Sequence, residues 1–190
     1  MIKKLGQLLN IAAAVLLITG ISSVQAAEFT ADMLESKAGE KTQESRLYVK
    51  NSKYRMTVQE KDLKLYLIVD EKTGTTTVLS PEDKQYMEVE NNYFRSMDTN
   101  PVQSFRHHAQ NYDTRELGRE TFKGFDCTKV LVQAGDRDIF TAWIAGELNF
   151  PVKILFHLGE GMSMEMDNIK QGPVDPAMFA VPDGYTRKEQ

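Results

Sequence analysis

The sequence predicts a mainly β fold, an antiparallel sheet of about ten strands that must curl or close around one helix. Two observations predict it. Nearly everything after Ala27 alternates apolar and polar residues with period two, in runs divided by turn signals roughly every 10 residues. The alternation fails once, across "NNYFRSMDTNPVQSFRHHAQNY" (91–112). There Asn100 can cap a helix, Pro101 suits its first position, and Val102 and Phe105 share a face. A single flat layer of that many strands would leave its apolar face wet, so the sheet is expected to curl around the lone helix.

The strands follow in order. "EFTADMLES" sets Phe29, Ala31 and Met33 on one face, "SRLYVK" pairs Leu47 with Val49, and "KYRMTVQ" aligns Tyr54, Met56 and Val58. "LKLYLIVD" aligns Leu63, Leu65, Leu67 and Val69, while Tyr66 and Ile68 make its other face apolar as well, the mark of a strand covered on both sides. "EKTGT" turns that strand into "TTTVLS", and "SPEDK", with Pro81 at its second position, turns it into "QYMEVE". After the helix come "TRELGRETF" and "FDCTKVLVQ", joined through Lys123 and Gly124, then "DIFTAWIA", "VKILFHL" and "MSMEMDNIKQ". The last of these puts Met162, Met164 and Met166 on one face, opposite Ser163, Glu165 and Asp167.

The chain opens on "MIKK", an apolar run "IAAAVLLITGI" and the small-residue site "SSVQA", the three parts of a secretory signal peptide. A spanning anchor would need roughly 20 apolar residues, and Gln7 and Asn10 interrupt the longer reading. Val24 and Ala26 fit the small-x-small rule, so residues 1–26 are expected to be a cleaved leader and 27–190 a single domain of the exported protein, in the periplasm. No cysteine stands at the cut to take a lipid, and a soluble mature form is expected. The net charge of −4, more negative once Lys3 and Lys4 are gone, opposes binding to nucleic acid or to an anionic membrane face.

Little in the chain points to reaction chemistry. Cys127, the only cysteine, lies in a strand without a basic or second-cysteine neighbour and reads as a small buried hydrophobe rather than a redox partner. His107 and His108 stand about 100° apart on the helix and His157 is remote, which gives no zinc spacing. The chain has no G-x-S-x-G, H-E-x-x-H or phosphate-cradling glycine loop, and its carboxylates sit at turns and on polar strand faces. The expectation is a protein that is not an enzyme, with no catalytic residue, no metal and no cofactor.

Four segments, "RLYVKNSKYRMTV", "LIVDEKTGTTTVLSPEDKQYMEV", "TNPVQSF" and "IKQGPVDPAMFAVPDGY", resemble in order and spacing those of the periplasmic lipoprotein carriers, the LolA/LolB-like superfamily. The resemblance covers most of the chain after the leader. It implies an antiparallel sheet curled into an incomplete barrel, a helical lid, and a hydrophobic hollow that holds acyl chains. Enclosure is physically needed, because an acyl chain in water costs about 0.8 kcal/mol per CH₂, and methionine suits a hollow that accepts varied shapes.

On that basis Met56, Leu65, Leu67, Met87, Trp143, Phe156 and Met164 are expected to line the hollow, with Val102 and Phe105 facing it from the lid helix. Val174, Phe179 and Val181, stiffened by Pro173, Pro176 and Pro182, would close one end, or else form a tail docked on the core. Two departures from the carriers stand out: the first strand follows the leader with no preceding helix, and the carriers' lid-holding arginine aligns with Asn51. Binding of an acyl chain, lipid or lipoprotein is therefore expected ahead of regulated hand-over. The alternative is a non-enzymatic interaction or structural module of the envelope, with a filled core and a protein partner.

Overall fold

A computed structural model describes residues 27–60, 63–91, 96–158 and 160–189. The leader expected over 1–26 lies outside the described residues, and none of the described helices is long and apolar enough to cross a membrane. The chain runs β1 (Glu28–Lys37), β2 (Glu40–Lys50), β3 (Lys53–Glu60), β4 (Leu63–Asp70), β5 (Thr75–Ser80) and β6 (Gln85–Glu90), then helix α1 (Pro101–Asn111). It continues through β7 (Asp113–Phe122), β8 (Phe125–Ala134), β9 (Arg137–Ala145), β10 (Phe150–Phe156) and β11 (Met162–Gln171). A 3₁₀ turn (Pro176–Phe179) and the short β12 (Thr186–Arg187) complete it.

All the strands form one open sheet of 12, in the order β12-β6-β5-β4-β3-β2-β1-β11-β10-β9-β8-β7. Two meanders, β1 to β6 and β7 to β11, meet at an antiparallel seam between β1 and β11. The pairing is antiparallel except for β12, which lies parallel to β6. The alternating runs of the sequence correspond to β1 through β11, and the structure adds the two-residue β12. In addition, β2 begins five residues before Ser45, after a tight turn in which Ala38 and Gly39 take φ of 53° and 84°.

The link from β6 to β7 must pass from one side of the curled sheet to its far edge, and α1 makes that crossing. Its N-terminus is built as the sequence predicts: Pro101 takes the first turn, and the Asn100 side chain accepts from the Gln103 amide at 3.0 Å. Val102 and Phe105 are buried beneath it. The ring of Phe105 meets Phe140 of β9 edge-on at 6.1 Å between centroids. The result is the architecture that the sequence predicted: an open antiparallel sheet, not closed into a barrel, curled over the one helix of the described residues.

Register assigns the two faces of the sheet. Met33, Met56, Leu67, Ile154 and Met164 lie on the inner face with the other core residues. On the outer face Ile68 and Leu79 are buried too, at 4% and 0% exposure. They are covered because the chain after Gly172 runs back along that face. The Val174 amide donates to Glu28, Lys50 donates to the Val174 carbonyl at 3.1 Å, and Arg55 donates to the Met178 carbonyl at 3.1 Å. Glu28, Lys50 and Arg55 alternate with the inward-facing Phe29, Val49 and Tyr54, so the segment straps the outside of the barrel. The segment expected to close an end of the hollow is thus on the other side of the sheet, drawn there by the second apolar face of β4.

Candidate functional site

The inner face beneath α1 is the candidate site. Six of the seven residues expected to line the hollow come together on it. Met56 pairs across to Leu67, Leu67 to Val78 and Val78 to Met87, with Leu65 two residues along β4. On the other wing Ile154 pairs with Met164, and Phe156 packs against Phe140 at 5.1 Å. Met56, Leu67 and Met164 are fully buried, whereas Leu65, Met87 and Phe156 are half-buried at the margins of the same cluster.

Trp143 does not join them. It stands across from Lys129 of β8 and Lys153 of β10, and Lys153 pairs in turn with Glu165, on the outer face. The two ammonium groups lie 4.6 and 5.2 Å from the Trp143 ring centroid, so the indole is buried under lysine stems rather than inside the barrel. Residues 139–145 of β9 are apolar on both faces, and period two cannot choose between two apolar faces. Cys127 pairs with Ala145 and belongs to the buried cluster; burial pushes its thiol pKa up.

The interior is unusually rich in sulfur. Met33, Met56, Met97, Met164 and Met166 belong to its core, and Met87 and Met162 pack against it from the margins. Of the nine methionines in the chain, the other two are Met1 and Met178, the latter in the outer strap. These seven flexible thioethers come from β1, β3, β6, β11 and the segment before α1 and pack in or against one core cluster.

At one end of the barrel the turns gather a polar mouth. A pocket of about 200 Å³ opens there, lined among others by Tyr54, Glu71, Arg106 and Phe150. Arg106 reaches down from α1 to pair with Glu71 and lies over the Phe150 ring, 5.0 Å from its centroid. Burial lowers the Arg106 pKa, partly offset by Tyr54. Tyr54 is buried and exchanges hydrogen bonds with Asn100, and burial raises its pKa. Asn51, at the carriers' arginine position, takes φ of 55° in the β2–β3 turn, a left-handed conformation that asparagine tolerates.

The wall of the barrel is also split. β2 and β3 pair only from Tyr48 to Lys50 against Lys53 to Arg55, and beyond that they diverge. A cleft of about 420 Å³ lies between them, lined by Gln43, Ser45, Thr57 and Gln59 among others. Gln43 bridges it, donating to the Thr57 carbonyl and accepting from the Gln59 amide, both at 3.4 Å. Behind it on the inner face sits Glu35, 6% exposed, which accepts from Gln43 at 3.4 Å. Burial, with Asp98 adding to it, pushes the Glu35 carboxyl up to about 7. The Ser45 hydroxyl beside it is buried without a partner among the described residues.

Glu35, Arg106 and Glu71 have no place among the residues expected from sequence. A signal for two of them was present: Glu35 continues the inward series Phe29, Ala31, Met33, and Arg106 lies one helical turn from Val102. Among the described residues no group of three His, Cys, Asp or Glu side chains is placed to hold a metal ion. His108 bonds the Ser104 carbonyl at 2.7 Å and stacks on Tyr112, and His157 bonds Thr141 at 2.7 Å.

The family model described as a domain of unknown function, DUF4412, matches residues 30–149. The chain belongs to that family. The DUF4412 match runs from β1 through β9 and stops short of β10, the methionines of β11 and the strap. A comparison with curated proteins gives no match. Among solved structures, the chain is similar to an uncharacterized conserved protein from Thermus thermophilus, at 11% identity and a TM-score of 0.56 over 87% of this chain and 93% of that one, which shows a shared fold. It is also similar to the MucA/MucB complex structure from Pseudomonas aeruginosa, at 15% identity and a TM-score of 0.48, over 83% of this chain and 56% of that one. A third is the LolA superfamily protein NE2245 from Nitrosomonas europaea, at 12% identity and a TM-score of 0.36, over 82% and 90%. The chain spans little more than half the length of its match in the MucA/MucB structure.

Proposed function

We propose that this DUF4412 protein is a non-enzymatic binder of acyl chains, free in the periplasm after loss of its leader, which takes the acyl part of a lipid or lipoprotein into the half-barrel. The observation that carries this reading is the set of seven methionines in one core cluster, six on the inner face of the sheet and Met97 in the segment that leads into the helix above it. A filled core meant only for stability favours residues with well-defined rotamers, whereas thioethers repack at little cost. The acyl chain takes the place of loosely specified methionine contacts. Its polar end stays at the mouth beside Arg106 and Tyr54, or in the cleft beside Glu35 and Ser45.

The test is lipid mass spectrometry of organic extracts from the protein purified without detergent, compared with Leu67→Arg in the core and Met87→Glu at its half-buried margin. Near-stoichiometric lipid in the native protein, lost in a folded variant, is the expected result. Lipid retained at the native level in both folded variants would place the ligand elsewhere. The complete burial of Met56, Leu67 and Met164 favours a second reading, an interaction module with a filled core. Absence of lipid from the native protein would move the weight there.

A further inference from the structure

The sheet has two ends, and they differ. One is finished by β12, which lies along β6 and carries the strap with it. The other is β7, which pairs with β8 alone and leaves a ten-residue edge whose residues from Asp113 to Thr121 are all exposed. Exposed edges are commonly blunted by charge and by bulges, and β7 has both. Its charges are arranged in an unusual way.

The stretch "TRELGRET", Thr114 to Thr121, is charge-complementary to itself when a second copy is laid antiparallel about the Leu117–Gly118 bond. Thr114 then meets Thr121, Arg115 meets Glu120, Glu116 meets Arg119 and Leu117 meets Gly118. Strand pairing also requires that partners project from the same face. In a regular strand this register would fail, because the paired residues differ in parity. The bulge between Glu116 and Gly118 corrects it. Arg115 and Glu120 pair with Leu131 and Cys127, which share one face of β8 by their even spacing, whereas Glu116 and Arg119 pair with Val130 and Thr128 on the opposite face.

The local chemistry leaves room for such a contact. Gly118 has φ of 115°, and a Cβ added to it would meet nothing within 4 Å, which gives space to a partner's Leu117, itself 45% exposed. Arg119 bonds Asp126 and Glu120 bonds Lys129 at 3.2 Å within the chain, both at exposed sites with capacity for another partner.

We propose that β7 is a homodimerisation edge at which two copies join their sheets antiparallel through Arg115–Glu120 and Glu116–Arg119 pairs. The two-fold axis makes each pair occur twice, so one substitution alters two contacts. Like charges facing each other across the join would then raise the dissociation constant by about tenfold or more.

The test is sedimentation equilibrium of the protein purified from cells expressing the full chain, with circular dichroism to check folding. Arg115→Glu faces Glu120 with a glutamate, and Glu120→Arg faces Arg115 with an arginine, so each variant alone repels its own copy. Mixed together they are complementary at both positions. The expected result is a native dimer, two monomeric variants, and a heterodimer from the mixture. Glu116→Arg and Arg119→Glu repeat the test independently on the other face. A native protein that stays monomeric at high micromolar concentration overturns the proposal, as does a dimer that survives all four reversals or a mixture that stays monomeric.

Discussion

The Tyr54 hydroxyl and the Asn100 amide exchange hydrogen bonds of 3.1 and 3.0 Å inside the barrel, and the same Asn100 oxygen accepts from the Gln103 amide. One buried side chain therefore starts the helix and ties it to β3. Asn100→Ala removes both functions and is expected to cost about 2–3 kcal/mol, a lost cap plus a buried hydroxyl left with only its long 3.4 Å bond to the Gln103 side chain. Tyr54→Phe loses only the tie, at about 1 kcal/mol. Urea unfolding measures both, and hydrogen exchange of the α1 amides should quicken more than that of the strands. Equal costs for the two variants would mean that the cap contributes nothing.

Glu35 predicts a pH dependence of stability. Its carboxyl ionises near 4.5 in the unfolded chain and is held up at about 7 in the fold. Between those values the folded state binds the extra proton, so stability falls as pH rises through the window, and the loss is complete above about 7. The span corresponds to about 3 kcal/mol. Glu35→Gln should flatten the profile and exceed the native protein in stability at pH 8, as read by denaturant midpoints. A variant with the native slope would assign the dependence to another group.

The outer strap runs from Arg55 of β3 to β6, across the face of β4 and β5 on which Ile68 and Leu79 are buried. A chain ending at Gly172 uncovers both and is expected to lose about 3–5 kcal/mol, the burial of two large aliphatic side chains. It should bind a hydrophobic dye on its outer face while keeping the native lipid content. Loss of lipid from a folded truncated chain would restore the strap to the hollow.

Trp143 is the only tryptophan of the protein. Because it lies under Lys129 and Lys153 on the outer face, filling or emptying the hollow should leave its emission maximum unchanged. Lys153→Ala should shift the emission to the red by uncovering the ring. A clear shift on delipidation alone would contradict the assigned register.

Where one strand face was apolar and the other polar, period two carried nearly all of the fold. The inward position of Met56, Leu67 and Met164 is legible because Arg55, Lys64 and Glu165 mark the opposite face. The helix was legible because Asn100 and Pro101 are local signals of a helix start. The pattern was silent on Trp143, whose strand is apolar on both faces, and on the strap. The apolar second face of β4 showed that something covers Ile68, though not that residues 173–189 do so. Arg106 and Glu71 meet only because the curl brings α1 over the β4–β5 turn, a tertiary event with no local signature.

The seam between β1 and β11 sets the order in which the structure can be completed. Every other antiparallel pair in the sheet joins strands adjacent in sequence, so each meander can form as it emerges. β1 emerges first and must wait for β11, from the far end of the chain, while its apolar inner face of Phe29, Ala31 and Met33 stays uncovered. Closure of that seam is a slow, non-local step. Until it happens the newborn chain has the exposed apolar surface that calls for a chaperone's protection.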